Sequence, residues 1–181
     1  MERLAVFTFA VLAEASDHPR VRGFFESNTP NLEAAELSVG FIARSGYDDE
    51  LGPPSWGEVV YPRFFTGNAE GWTPMTLSLW EDLESLAAYV YRGLHAEAIS
   101  QRGKWFLEPQ WPTHALWWVP EGHVPRWSEA ASRHEHLHDH GPGPYAFKLL
   151  RAFDLAGKRI HLDRHLVAEK ARINLEKLGA N

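Results

Sequence analysis

Tyr91, His95 and Arg102 are the residues whose types and spacing best suit chemistry at a buried site. At about 100° per residue, their positions fall along one stripe of an α-helix. An imidazole can ligate iron or accept a proton, a phenol can donate a hydrogen bond, and a guanidinium can hold a carboxylate. The stripe therefore predicts a catalytic or ligand-binding edge. A second interpretation stays open, in which His95 hydrogen-bonds within the core and Arg102 forms an ion pair at the surface.

The segment around these residues has the pattern of a strand followed by a helix. Met75–Trp80 alternates apolar and polar residues, which is typical of a half-buried strand. Asp82 then suits a helix N-cap. Apolar residues recur behind it with the spacing of a core-facing helical stripe: Leu83, Leu86, Ala87, Val90 and Leu94. The pattern predicts one helix from Leu83 to beyond Arg102.

Aromatic residues are abundant, at 13% of the chain with eight Trp. Trp80, Trp105, Phe106 and Trp117 are the ones that we expect to wall a cavity for a flat or hydrophobic substrate, or for a porphyrin. Trp117 and Trp118 are adjacent in a predicted strand, so they point to opposite faces of its sheet. At most one of that pair lines any given pocket, and ordinary core packing is the alternative for the other.

A histidine-rich run covers residues 133–140. On a helix, His134 and His138 form one i,i+4 pair and His136 and His140 form another, and each pair could grip a divalent metal. The two pairs point to different sides, so the run does not predict a single four-ligand site. We expect His134 and His138 to be surface residues with adventitious metal affinity. His123 is expected to orient the turn between Pro120 and Pro125.

The composition narrows the class of function. The chain has no Cys, which excludes disulfides, thiolate nucleophiles and Cys-ligated metals or haem, and which suits a reducing cytoplasm. A net charge of −6 argues against nucleic acid as the partner. The chain has no apolar run near the ~20 residues that span a bilayer, and no Gly-rich nucleotide loop or nucleophile-elbow serine. We expect a cytoplasmic protein that binds a small molecule.

The order of predicted elements is strand, helix, strand, strand, helix, strand. The predicted strands are Leu4–Glu14, Gly40–Ser45, Met75–Trp80 and Thr113–Val119, with one further strand at Ala146–Phe153. A helix that starts near Pro19 is expected to be interrupted around Asn28–Asn31 and to resume afterwards. This order predicts an α+β domain over residues 1–154.

Two segments stand outside that order. Gly46–Trp72 is rich in Gly, Pro and aromatics, with a strand-like Glu58–Phe65, and is either a lid of a binding site or an insertion that decorates the fold. Residues 155–181 form a C-terminal extension in which Asp163–Leu178 is a predicted helix. That helix packs on a partner subunit, covers the mouth of a cavity or is a solvated appendage.

Four stretches carry a resemblance to a known family: Leu79–Glu81, Tyr91–His95, Arg102–Phe106 and Trp117–Pro125. Together they resemble a monooxygenase-like bacterial family of unknown function (domain of unknown function 3291) in the dimeric α/β-barrel superfamily. The resemblance covers about residues 4–153. A weaker similarity to haem-binding spheroidene monooxygenases is confined to the strand–helix–His segment. The resemblance implies a ferredoxin-like protomer that pairs with a second copy as a homodimer to form a dimeric α/β barrel.

The resemblance also implies a small-molecule oxidoreductase that acts on a hydrophobic or aromatic substrate in the barrel cavity. In that hypothesis His95 binds haem iron, Trp80 and Trp105 shape the cavity, and Tyr91 and Arg102 orient the substrate or a haem propionate. Two alternatives stay open. One is a cofactor-independent enzyme with His95 or Tyr91 as proton acceptor, and the other is a non-catalytic, ligand-binding dimer.

Overall fold

The computed structural model describes residues 1–48, 51–65 and 73–179. The main sheet has four strands: β1 (Glu2–Phe9), β2 (Phe41–Arg44), β3 (Met75–Trp80) and β4 (His114–Pro120). Five helices lie in the described residues: α1 (Arg22–Leu37), α2 (Leu83–Val90), α3 (Gly93–Trp105), α4 (Trp127–His140) and α5 (Arg164–Gly179). Ala152–Phe153 and Arg159–Ile160 form a separate two-stranded pair, β5 and β6. The α+β class is confirmed. None of the described helices is long and apolar enough to cross a membrane.

The main sheet has the strand order β2-β3-β1-β4, and every neighbouring pair is antiparallel. β1 lies in the centre, where Leu4 pairs with Trp80 on one side and with Trp118 on the other. The predicted strand to Glu14 is too long, since β1 ends at Phe9. Val11 and Ala13 instead hydrogen-bond to Leu107 and Trp105, at the end of α3.

Strand alternation gives the sheet two buried faces. The face that packs towards α1 and α2, here called the helical face, carries Leu4, Val6 and Leu116. The opposite face, here called the α4 face, carries Phe7 and Leu77. Trp117 packs in the cluster of the α4 face and Trp118 against the cluster of the helical face. The prediction that these neighbours point to opposite faces is confirmed.

The α4 face is covered by the chain itself. Trp127 and Ala130 of α4 pack on it, together with apolar residues of the described part of the 46–72 segment. Arg63 fastens that segment to α4, because its backbone N–H donates to Glu135 (2.7 Å) and its guanidinium pairs with Asp139. The strand predicted at Glu58–Phe65 is wrong, since these residues run as a loop. Residues 49–50 and 66–72 of the predicted segment lie outside the described residues.

α1 is continuous, so the predicted interruption around Asn28–Asn31 is wrong. Pro30 lies inside the helix and removes one backbone donor. The Asn31 side chain adds a hydrogen bond in the same turn, where its amide nitrogen donates to the Ser27 carbonyl at 2.8 Å. The helix therefore continues through a proline at which sequence rules predict an interruption.

α5 packs on α1 and α2 of its own chain. Lys170 donates to Asp82 (2.7 and 3.0 Å) and to the Ser85 hydroxyl (2.7 Å). Lys177 donates to the Leu37 carbonyl at 3.0 Å, and Ala171 is 4% exposed. The predicted C-terminal helix is confirmed, and it is not a solvated appendage.

Candidate functional site

The helix predicted to carry Tyr91, His95 and Arg102 on one stripe is two helices. α2 ends at Val90, Arg92 is extended, and α3 begins at Gly93 with a φ of +62°. Glycine reaches this left-handed backbone without strain, so it redirects the chain at this point. Tyr91 is consequently the C-cap residue of α2 and not a neighbour of His95 one helical turn away. The prediction of one continuous helix is wrong.

His95 is half-buried at the start of α3, next to the turn. Its Nδ1 lies 3.3 Å from the Val90 carbonyl oxygen. A carbonyl only accepts, so this contact places the proton on Nδ1 and leaves the Nε2 lone pair available. Burial lowers the pKa of His95, and the bond to Val90 only partly opposes it. The imidazole is therefore neutral at pH 7 and able to accept a proton.

Tyr91 and Arg102 are exposed, and neither lines a depression beside α3. Tyr91 is 43% exposed, and burial of the rest of its ring raises the pKa of its hydroxyl. Arg102 is exposed in the last turn of α3. Of the three predicted polar residues, the structure buries His95 alone, and the roles predicted for Tyr91 and Arg102 stay predictions.

A row of aromatic rings links His95 to the sheet. The ring of Tyr89 lies 4.6 Å from that of His95 and stacks on Trp80 at 5.4 Å, between centroids. The Trp80 indole donates to the Ser78 hydroxyl (3.0 Å), and the Tyr89 hydroxyl donates to the Asn31 carbonyl (3.1 Å). Burial raises the pKa of Tyr89 well above its ordinary value. Sequence reasoning missed Tyr89 because it lies beside the predicted stripe.

The other predicted aromatic residues divide between two places. Trp105 and Phe106 pack with Phe24 at 6.1 and 5.2 Å between ring centroids, at the end of α3. Trp117 lies on the α4 face, where its indole donates to Glu129 at 2.9 Å. The structure therefore does not bring Trp117 into a site with Trp105.

Two depressions lie beside α3. A groove of about 580 Å³ runs between α1 and α3, and its walls include Gly23, Glu26, Asn31, Glu97, Ala98 and Trp105. A small cavity of about 20 Å³ lies between α1, the α2–α3 turn and α5, and His95 lines it together with Tyr89 and Asn174. Leu94 lines both the groove and the cavity. These two spaces and His95 form the candidate site.

His134 is fully buried, so the expectation that it lies on the surface is wrong. It belongs to the inward stripe of α4, and its ring packs against Phe7, Phe9 and Phe64 at 5.4 to 5.7 Å between centroids. Its Nε2 contacts the Pro112 carbonyl oxygen. Burial is the main cause of the lowered pKa of His134, and the Pro112 contact opposes it. Its neutral ring is a core residue.

The remaining histidines of the run lie at the surface of α4. His138 contacts the Asp139 carboxylate at 3.0 Å, and the rings of His136 and His140 lie 4.4 Å apart. Within residues 1–48, 51–65 and 73–179, no group of three or more His, Asp or Glu side chains is arranged to hold a metal ion. His123 contacts Glu129 at 2.8 Å, which fixes it beside the turn.

His114 is a titratable residue that sequence reasoning missed. It lies on β4, where its Nε2 accepts a hydrogen bond from the Leu149 N–H at 3.3 Å. Burial, aided by the charges of Lys148 and His134, lowers the pKa of His114 to about 4. Strand alternation could have found it, because position 114 shares the helical face with Leu116.

Comparison with known proteins identifies a family but no characterised relative. A search of curated proteins and a search of solved structures each find no match. A family model does match, and it covers residues 3–163, which end immediately before α5. The chain belongs to the family described as "Domain of unknown function (DUF3291)".

Proposed function

We propose that this protein is a monooxygenase-like, small-molecule oxidoreductase built on a ferredoxin-like protomer. The antiparallel order β2-β3-β1-β4, with a helix after β1 and helices after β3, supports that fold. Its substrate occupies the groove between α1 and α3, and His95 is the proton acceptor. The observation that carries the proposal is that one residue, Leu94, lines both the groove and the cavity of His95.

The walls of the groove favour an uncharged or cationic aromatic substrate. Trp105 offers an indole at one side, and Ala98 and Pro30 add apolar surface. Glu26 and Glu97 place two carboxylates at the groove, which disfavour an anion. A volume of about 580 Å³ is in the range of ordinary small-molecule sites.

His95 can start chemistry that needs only an electron-rich substrate and dioxygen. A phenol with a free para C–H gives its hydroxyl proton to Nε2 through a water molecule, and the para carbon of the phenolate then bonds to dioxygen. His95 returns the proton to the peroxide, which loses water to leave a quinone. One oxygen atom enters the product and the other leaves as water, so the substrate supplies all four electrons.

Haem ligated by His95 is the chemistry that the family resemblance implies. The available Nε2, with Nδ1 held by Val90, suits an axial ligand. However, the cavity that His95 lines is about 20 Å³, which is room for a water molecule and not for a porphyrin. The described residues therefore do not fit a haem on His95.

The homodimer and the cytoplasmic location stay predictions. In a barrel of two sheets, each protomer presents one open sheet face to its partner. Here α4 and the described residues 46–48 and 51–65 cover the α4 face, and α1 and α2 pack over the other. A second copy would therefore have to dock on another surface, and sedimentation equilibrium would measure whether it does.

Dioxygen uptake tests the proposed function. We expect the purified protein to consume dioxygen with at least one member of a panel of uncharged phenols that includes 1-naphthol. His95→Gln should reduce that rate at least 100-fold, since a general base contributes about 10²–10⁴, and His140→Gln at the surface of α4 is the matched control. Uptake that is unchanged in His95→Gln would contradict the role of His95. Phenol binding without uptake would instead favour the ligand-binding alternative.

A further inference from the structure

The small cavity beside His95 is lined by three parts of the chain that are distant in sequence. α1 contributes Ser38 at its end, the α2–α3 turn contributes Tyr89 and His95, and α5 contributes Asn174. At about 20 Å³ the cavity exceeds the roughly 10–15 Å³ that one water molecule requires. It is therefore a site for a single water-sized ligand.

Asn174 lines this cavity and has an unsatisfied hydrogen-bond donor. The residue is 7% exposed, and its Oδ1 accepts a hydrogen bond from the Val39 N–H at 2.8 Å. Because a backbone N–H only donates, that bond fixes which end of the amide is oxygen. The amide nitrogen is buried and has no hydrogen-bond partner among the residues that the structure describes. Buried donors are rarely left unpaired in proteins, so this one indicates a bound ligand.

His95 brings the complementary acceptor. Its Nδ1 proton is directed at the Val90 carbonyl, so the Nε2 lone pair is the group left to bind a ligand. We propose that one water molecule occupies the cavity, accepts a hydrogen bond from the Asn174 amide and donates one to His95 Nε2. Asn174 is then a positioning residue for the proton acceptor. This role of Asn174 rests on the proposed function, in which His95 accepts the proton.

The water would stand next to the groove, since Leu94 borders both spaces. A proton from a bound substrate could thus reach His95 through it. One wall of the cavity is formed by α5, which lies beyond the family-matched residues 3–163. Lys170 holds α5 in place through Asp82 and Ser85. The helical extension therefore completes the site of this chain with a residue that the family region does not supply.

A crystal structure of the wild-type protein tests the water directly. We expect density for one water within about 3.2 Å of both the Asn174 amide nitrogen and His95 Nε2. A dry cavity, or a water that contacts only one of the two residues, would overturn the proposal. This result needs no substrate, so it is independent of whether the protein consumes dioxygen.

Titration of His95 by NMR tests the coupling between the two residues. Asn174→Asp keeps an acceptor for Val39 and places a carboxylate across the cavity, so the pKa of His95 should rise by about 1 or more. Ala168→Asp, at an exposed position of α5, is the matched control and should leave that pKa unchanged. Equal His95 titration in both variants would show that Asn174 does not act on His95. If Asn174→Asp fails to fold, the wild-type crystal structure still decides the proposal.

Discussion

The imidazole of His95 packs against the ring of Tyr89, with 4.6 Å between the ring centroids. Tyr89 belongs to α2 and His95 to α3, so this contact spans the turn that separates the two helices. Tyr89 stacks in turn on Trp80 of β3, which ties the imidazole to the sheet. The position of the proposed proton acceptor is therefore set by the α2–α3 turn.

Gly93 should be required for that turn. Gly93→Ala should lower the free energy of unfolding by about 1 kcal/mol or more, because a side chain is strained at a φ of +62°. Gly103→Ala in the same helix is the control. A Cβ at Gly103 meets no atom within 4 Å, so this variant should be stabilised by about 0.5–1 kcal/mol. Chemical denaturation measures both values, and two variants of equal stability would contradict the strained turn.

Asp82 has two roles that two substitutions can separate. It caps α2 through the Ser85 N–H (2.7 Å) and binds Lys170 of α5. Asp82→Asn keeps the cap but loses the ion pair, so the free energy of unfolding should fall by about 1 kcal/mol. Asp82→Ala also loses the cap, so it should lower the free energy of unfolding by about 1 kcal/mol more. Urea denaturation measures both.

The exposed pair Arg172–Glu176 provides the control for that experiment. Both side chains are more than 60% exposed, so Glu176→Gln should change stability by less than about 0.5 kcal/mol.

Burial acts to raise the pKa of Asp82, but the bonds from Lys170 and Ser85 outweigh it and lower the pKa. The contribution of the Asp82–Lys170 pair to stability should therefore disappear as the pH falls below about 4. A contribution that persists in acid would contradict this assignment.

The periodicity of the sequence predicted the four main strands and the opposite faces of Trp117 and Trp118, because alternation depends on neighbours in the chain. It did not predict the break at Gly93, since the apolar stripe continues through Leu94 as it would in one uninterrupted helix. Nor did it predict the burial of His134. The burial of this imidazole on the inward stripe of α4 depends on the rings of Phe7 and Phe64, which are distant in sequence.

The candidate site depends still more on long-range packing. His95 was found from its residue type and from its place on a helical stripe. Asn174 carried no local signal, because its contact with Val39 and its place beside His95 arise only when α5 folds back on α1 and α2. The groove likewise forms between α1 and α3, whose relative placement no local pattern encodes.

Acid should destabilise the protein partly through His114. This residue titrates near 6.5 when exposed, and burial lowers its pKa to about 4 in the folded state. Between these values the unfolded chain binds more protons, so the free energy of unfolding should fall as the pH drops from about 6.5 to about 4. His114→Gln should flatten this dependence by up to about 1.4 kcal/mol per pH unit. Urea denaturation across this pH range measures it, and an unchanged slope in the variant would contradict the assignment.

The location of ligand binding is the central claim, and crystallographic screening with aromatic fragments tests it most directly. We expect uncharged or cationic fragments such as 1-naphthol to bind between α1 and α3, in contact with Trp105 and Leu94, and we expect Ala98→Trp to prevent this binding by filling the groove. Fragments that leave the groove empty and bind reproducibly elsewhere on the protein would contradict it.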